Sequence, residues 1–377
     1  MKITGIQTFL MHAGWRNWLF VKVATDEGID GLGEAALAGR ELTVETAMHE
    51  LGRYLVGKDP RDIERHWTLI QRNAFWPAGA VLSTALSAVE QAMWDILGKS
   101  LNIPLYRLLG GKCRDAIPVY ANGWFGGCFT PDAFAERALE TVNRGYKALK
   151  WDPFDFCHAY MDLRPADFEQ AIECVRAVRQ AVGASIGLAI EGHGRFNPQT
   201  ALKIADAIAE FDPLWFEEPV PPENLAALES VTAASPVPIA SGERLYTKWA
   251  FRDLLERRAA HVIQPDICNA GGLLETKKIA AMAEVDYVAI APHNPNGPIS
   301  IAANLHFAAS TPNFQILELP AAEDDLRSSV CRTDFTLNDG CLPVPEAPGL
   351  GVELDIDGVN AHPYQAVELN MYGDCGM

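Results

Sequence analysis

The sequence predicts an α/β protein built around a parallel (β/α)8 barrel, with an α+β unit ahead of it and a loop-rich tail behind. Three observations carry this. Eight short apolar runs recur between Ile117 and Glu318, and amphipathic segments at helical spacing lie between most of them. The units succeed one another at about 25 residues each, the length of a strand plus a crossover helix. A doubly wound open sheet is the competing arrangement. It would carry a glycine-rich phosphate loop after its first strand, and Tyr120-Ala-Asn-Gly-Trp-Phe-Gly-Gly127 is not one.

Taken in order, residues 1–112 have a different rhythm from the rest of the chain. Val21–Gly28 and Ile29–Glu34 read as two strands joined by an Asp-Glu-Gly turn. Thr43–Leu55 and Ser83–Lys99 space their apolar residues as helices do, and Gly98 and Gly110-Gly111 punctuate the end of the unit. The barrel is expected over 113–320. Its strands fall at Ile117–Tyr120, Ala148–Trp151, Ile186–Ile190, Leu214–Phe216, Val237–Ala240, Val262–Ile263, Val288–Ala291 and Gln315–Leu317, with helices such as Thr200–Glu210 and Glu275–Glu284 between. After Pro320, the acidic Glu323-Asp-Asp325 and the Pro- and Gly-rich Pro345–Glu353 predict extended chain and turns. This tail, 321–377, is expected to pack back on the first unit.

Composition narrows the function classes. A chain of 377 residues, 49% hydrophobic and 21% charged, exceeds one ordinary domain and can bury a sizeable core. Its 31 Lys and Arg against 49 Asp and Glu give a formal charge of −18, and no basic block is present, which argues against nucleic acid as partner. No apolar run approaches the roughly 18 residues of a membrane span. The start, Met-Lys-Ile-Thr-Gly, lacks a secretory pattern. The eight cysteines are scattered without a CxxC pair and read as reduced thiols of a cytoplasmic protein.

The chemistry lies at successive strand ends. Glu191 closes Ile186-Gly-Leu-Ala-Ile, Glu217 closes Leu214-Trp-Phe, and Glu243 comes after Pro238-Ile-Ala-Ser-Gly, in two equal steps of 26 residues from 191 to 217 to 243. In a barrel such steps put the three carboxylates on adjacent tips at the C-terminal mouth. Like charges brought together there require a cation, and an all-oxygen set suits Mg²⁺ better than zinc. Asp266 ends the next strand and His293 the one after it, so the carboxylate can accept from one ring nitrogen and raise the basicity of the other. His193, two residues beyond Glu191, points into the same mouth, and Glu318 supplies an acid at the eighth tip.

With Glu217-Glu-Pro219, Gly242-Glu-Arg244, Gln264-Pro-Asp266 and Ala270-Gly-Gly272, this set resembles the enolase superfamily, mandelate racemase branch. The likeness runs nearly end to end. It takes in Ala92-Met-Trp-Asp95 before the barrel and Pro348-Gly-Leu-Gly-Val-Glu353 in the tail. Within the branch, Gly39-Arg40, His193-Gly-Arg195, Pro292-His293 and Gly297-Pro298 are similar to the sugar-acid dehydratases. The resemblance implies a capping α+β domain, built from the N-terminal region and the tail, over a modified barrel holding one Mg²⁺. It also implies a base that removes a proton next to a carboxylate.

One departure is informative. Racemases of this branch place Lys-x-Lys at the end of the second strand, whereas this chain has Lys150-Trp151-Asp152. No lysine stands at Gln264–Asp266 either, where the cycloisomerase branch keeps one. Inverting a carbon needs bases on both faces, while eliminating water needs one base and one acid. The expected reaction is therefore dehydration of an aldonate. His293, oriented by Asp266, takes the C2 proton, and His193 protonates the leaving C3 hydroxyl. Lys150, Asp152, Arg195 and Glu318 bind substrate, with Glu318 donating a hydrogen bond if it is protonated. Asp152, with Pro153-Phe154-Asp155 after it, lies outside the family pattern and leaves the particular sugar open. A racemase or lactone cycloisomerase on the same scaffold, and a relative without activity, are the alternatives. The partners expected are a small sugar acid and further copies of the chain as a homo-oligomer, with no nucleic acid or membrane. Cap loops at Met11–Trp18 and Asn73–Val81, bearing Trp15, Arg16, Trp18, Phe75 and Trp76, are expected to read the sugar or to form an apolar lid.

Overall fold

The computed structural model describes residues 1–72, 75–76, 79–154, 161–333 and 335–367. The chain opens with an antiparallel meander, β1 (Ile3–His12), β2 (Asn17–Thr25) and β3 (Gly31–Ala35), in the order β1-β2-β3. The sequence pattern shows β2 and β3 but not β1, because most β1 side chains are only half-buried and no apolar alternation marks them. On β2 the alternation is functional. Trp18 and Phe20, with Met11 and Ala13, face the barrel, whereas Leu19, Val21 and Val23 face helices α1 (Glu41–Leu55) and α3 (Ala80–Leu101). Helix α2 (Ile63–Arg72) adds Ile63 and Trp67 to that second core. Helix α3 rests on the bare backbone of β3: a Cβ at Gly33 would lie 1.9 Å from the Ala88 carbonyl oxygen, and one at Gly31 2.0 Å from that of Ala92.

A short helix α4 (Leu105–Leu108) leads into the barrel. Its strands are β4 (Ala116–Asn122), β5 (Ala148–Trp151), β6 (Gly187–Glu191), β7 (Trp215–Glu217), β8 (Ile239–Ser241), β9 (Val262–Ile263), β10 (Ala289–Ile290) and β11 (Leu317–Pro320). All neighbours in the order β10-β9-β8-β7-β6-β5-β4-β11 run parallel. The ring closes where Ile290 bridges Phe314 and its carbonyl accepts from Gln315 N at 2.9 Å. That closure uses the start of the run expected as the eighth strand, so β11 begins at Leu317 rather than Gln315.

Between the strands lie α5 (Pro131–Asn143), α6 (Pro165–Val182), α7 (Pro198–Ile208), α8 (Leu225–Ala234), α9 (Thr247–Glu256), α10 (Leu273–Val285) and α11 (Pro298–Ala309). The helix that comes directly after β11 is the seven-residue α12 (Asp324–Val330), so the eighth full crossover helix is replaced, which makes this a modified TIM barrel. Tyr120, Ala148, Ala189, Trp215, Ala240, Val262 and Ala291 fill the interior, with Tyr120 and Trp215 edge-to-face at 5.7 Å.

The tail forms β12 (Cys331–Arg332), β13 (Cys341–Pro343), β14 (Glu353–Leu354) and α13 (Ile356–Asn360). β12 pairs with β14, and β13 pairs antiparallel with the base of β4. The chain then reaches the meander, where His12 N donates to His362 O at 2.9 Å and Asn17 Nδ2 to Gln365 O at 2.9 Å. Asp95 ties three segments together. It accepts from Leu32 N at 2.9 Å, Leu350 N at 2.8 Å and Lys99 Nζ at 2.6 Å.

Two further buried acids join the meander and α3 to the barrel. Glu34 accepts from Gly297 N and from Ser300 N (2.9 Å), at the start of α11. Glu90 accepts from Leu273 N (2.8 Å) and Leu274 N (2.9 Å), at the start of α10. Ala270-Gly-Gly272 also receives Trp67 Nε1 on the Gly271 carbonyl at 2.8 Å, so that motif docks the cap. Among the described residues no helix is long and apolar enough to cross a membrane, and Cys113, Cys128, Cys174, Cys268, Cys331 and Cys341 are free thiols. Cys157 and Cys375 lie outside the described residues.

Candidate active site

Glu191 and Glu217 stand directly opposite one another in the β6–β7 register. The residue in register with Glu217 on β8 is Ala240, and Glu243 reaches the same place from the turn beyond Ser241. One oxygen from each of the three carboxylates lies within 4.8 Å of the others. Burial and the neighbouring Glu191 push the Glu217 carboxyl well above its usual range. Burial acts on Glu191 too, but His193 and Lys150 outweigh it and hold that carboxyl down. The cluster is an oxygen-only set whose charges a divalent cation would neutralise, and the three residues fit such an ion.

Two histidines flank the cluster, each held by an aspartate. His293 Nδ1 lies 2.9 Å from Asp266 Oδ2, and its Nε2 lies 3.5 Å from Glu243 Oε2. Asp266 is buried and further fixed by Cys268 N (2.7 Å) and by Asn296 Nδ2 (3.1 Å). On the other side, His193 Nδ1 lies 2.5 Å from Asp152 Oδ2, and its backbone N donates to Glu191 Oε1 at 2.8 Å. Burial opposes charge on both rings. Glu191 and Asp152 nonetheless push His193 up to about 9, and Glu243, Glu318 and Asp266 push His293 up to about 10. His193 and Gly194 both adopt positive φ, and the missing side chain at 194 leaves room for Arg244, whose guanidinium pairs with the buried Glu218.

Lys150 rises between these groups. Its Nζ lies 2.5 Å from Glu217, 3.1 Å from Glu191 and 3.4 Å from Glu318. Burial works against the ammonium, yet these carboxylates hold it well above its ordinary value. Glu318 accepts from Asn122 Nδ2 and from Asn294 N at 2.7 Å, and it forms an ion pair with Lys150.

Family models match both parts of the chain: the mandelate racemase/muconate lactonizing enzyme N-terminal domain over residues 5–110 and the enolase C-terminal domain-like model over 133–358. This chain belongs to the mandelate racemase branch of the enolase superfamily. Among the branch's proteins it is similar to a D-galactonate dehydratase of Xanthomonas euvesicatoria, 39% identical over 94% of this chain and 92% of that one. Another, from Ralstonia nicotianae, is 37% identical over 94% of this chain and 92% of its own. A crystal structure of an enolase superfamily member from Salmonella Typhimurium superposes with a TM-score of 0.90 at 33% identity, covering 96% of this chain and 98% of that one.

As a branch member, the chain brings Glu191, Glu217, Glu243, Lys150, His193, Asp266, His293 and Glu318 into one mouth. Two expectations need correction. Asp152, expected among the substrate contacts, is 2% exposed and has both oxygens taken, Oδ1 by Phe154 N at 2.8 Å and Oδ2 by His193 and Arg195. It stands behind His193, and Arg195 stands with it. Glu318 does not meet the condition under which it would donate. Burial raises it, but Lys150, His293 and the Asn294 amide keep it below its usual range and therefore ionised.

The sequence pattern does not single out Asn122, Asn294 or Asn296. Asn122 was within reach, being the polar residue that ends β4, but nothing local marks the other two. In the second cap loop, Phe75 and Trp76 are 88% and 77% exposed, and Asn73, Ala74, Pro77 and Ala78 lie outside the described residues, as does Asp155.

Proposed function

We propose that this chain is a Mg²⁺-dependent dehydratase of aldonic acids, D-galactonate or a close relative, that yields a 2-keto-3-deoxy acid. Its likeness to D-galactonate dehydratases over 94% of its length supports a sugar-acid dehydratase. The observation that supports the finer reading is the pair of Asp-held histidines beside the carboxylate cluster, which we read as one base and one acid.

Glu191, Glu217 and Glu243 would hold the cation, which supplies Lewis-acid charge beside the substrate carboxylate and eases loss of the C2 proton. Lys150, reaching the same point from β5, adds positive charge there. His293, its Nδ1 turned to Asp266, takes the C2 proton on Nε2 when it acts from the form in which that nitrogen carries no proton. His193, its Nδ1 turned to Asp152, gives the Nε2 proton to the C3 hydroxyl. The C3–O bond breaks, water leaves, and the enol tautomerises to the 2-keto acid by taking a proton at C3. Glu318, ionised and ringed by donors, fixes Asn122, Asn294 and Lys150 at the eighth tip.

The test is a screen of purified protein, with and without Mg²⁺, against aldonic and aldaric acids, read as 2-keto acid formation. Deuterium exchange at C2 without loss of water would point instead to an isomerase. No metal-dependent turnover of any acid would leave a relative without activity.

A further inference from the structure

The two barrel helices that come after Asp266 and His293 take their first-turn acceptors from outside the barrel. Helices α5, α7 and α8 begin on Thr130, Asn197 and Asn224, whose side chains accept from an amide of the same helix. Helices α10 and α11 begin on Gly272 and Gly297, which offer no side-chain acceptor. Glu90 of α3 and Glu34 of β3 take that place, both fully buried. A Cβ at Gly297 would stand 2.8 Å from Glu34 Oε1, and one at Gly272 closer still to Glu90 Oε2, so glycine is what admits these carboxyl groups.

The connections pinned in this way carry the Asp266–His293 pair. Asp266 lies between the end of β9 at Ile263 and the start of α10 at Leu273, and His293 between the end of β10 at Ile290 and the start of α11 at Pro298. The Asp266 carbonyl accepts from Ala270 N at 2.7 Å, close before Gly272. Asn296, whose Nδ2 lies 3.1 Å from Asp266 Oδ2, adjoins Gly297. Ser300, with its N on Glu34 Oε2, turns its Oγ to Asn294 Oδ1 at 2.7 Å, beside His293. Such connections have no ladder of their own, so their placement is set by whatever receives their amides. Each acid receives two of them, and losing either bond would strand an amide away from water.

We propose that Glu34 and Glu90 are positioning residues for proton removal: they set the two connections so that Asp266 meets His293 and Nε2 of His293 faces C2. This rests on the reading of His293 as the base of a sugar-acid dehydratase. His193 comes directly after β6, outside both connections, so its step is spared. A base displaced on the ångström scale costs about 100-fold in rate.

The experiment uses Glu34→Ala, Glu90→Ala and the corresponding Gln variants, with D-galactonate and its C3-fluoro analogue. In the Ala variants, kcat for dehydration and the rate of C2 hydrogen–deuterium exchange should fall together, about 10- to 100-fold. KM, and Mg²⁺ affinity by calorimetry, should stay near wild type. Fluoride at C3 should recover no rate, since the lost step precedes departure of the leaving group. Gln keeps one acceptor and turns an NH₂ group to the second amide. The Gln variants should therefore lie between, and they carry the comparison if an Ala variant fails to fold. Full exchange with lost dehydration, an equal loss of Mg²⁺ affinity, or unchanged rates would each overturn the proposal. If wild type turns over no acid, the function reading fails on its own. The positioning is then read in ¹⁵N-histidine-labelled protein with Mg²⁺ present, from the Nδ1 proton of His293, assigned by its absence in His293→Asn. Its exchange with water should be at least about fivefold faster in the variants, the scale of a lost helix cap, with the His193 proton unchanged. Equal exchange in variant and wild type, or equal acceleration at both histidines, would overturn it.

Discussion

Asp152 holds His193 as Asp266 holds His293: the carboxylate oxygen lies 2.5 Å from Nδ1 in the first couple and 2.9 Å in the second. Each contact keeps a proton on Nδ1, which leaves Nε2 of His293 to take the substrate's proton and Nε2 of His193 to give up its own. Asp152→Asn should therefore lower dehydration about 10- to 100-fold, the usual effect of losing an orienting partner. C2 hydrogen–deuterium exchange should persist. Asp266→Asn should lower both, and identical behaviour of the two variants would deny them separate roles.

The histidines themselves should separate the two steps. His293→Asn should lose C2 exchange and turnover together. In His193→Asn, exchange should continue while dehydration falls by about two to four powers of ten. A substrate with fluoride at C3, which leaves without a proton, should recover much of that rate. Loss of both steps in His193→Asn without fluoride recovery would make His193 structural and turn attention to Lys150.

Metal removal gives a third expectation. EDTA should abolish activity and Mg²⁺ restore it. Glu217→Gln, which removes one carboxylate from a cluster with ligand atoms within 4.8 Å, should bind Mg²⁺ far more weakly by titration calorimetry. Normal affinity and turnover in that variant would sink the assignment.

Stability should depend on pH through Glu34. Burial pushes this carboxyl from 4.5 up to about 8, although the Ser300 and Gly297 amides pull the other way. The folded state then keeps a proton that the unfolded chain releases, so the contribution is full below about pH 4.5 and is lost as pH rises toward 8. Glu90, pushed up to about 7, adds in the same direction. Glu34→Gln keeps an acceptor but cannot ionise, so the fall in Tm between about pH 5 and 8 should flatten. Unchanged calorimetric slopes would count against it.

The packing of α3 on β3 can be tested with one methyl group. Gly33→Ala would place Cβ 1.9 Å from a backbone oxygen that no rotamer change can move. A loss of about 3 kcal/mol or more is expected in urea unfolding, above the usual cost of overpacking. A loss below about 1 kcal/mol would mean that the helix shifts freely.

What the sequence determined by itself is what repeats locally. Apolar runs and amphipathic segments are properties of about 25 consecutive residues, so the barrel, most of its strands and the strand-tip positions of Glu191, Glu217, Asp266 and His293 were legible. The half-buried β1, with no alternation, was not. The tertiary structure decided which tip meets which. Equal steps of 26 residues suggest equal heights, yet Glu191 is level with Glu217 while Glu243 arrives from a turn past Ala240. Closure through Ile290 and Phe314 moved the last strand. The same long-range geometry put Asp152 behind His193 and ionised Glu318 between Lys150 and the Asn294 amide. It also joined Trp15, in a hairpin near the start of the chain, to Glu323 past the last barrel strand. Stagger and closure belong to the whole ring, and a side chain's partners across it come from other strand units, tens to more than a hundred positions away, where no local period reaches.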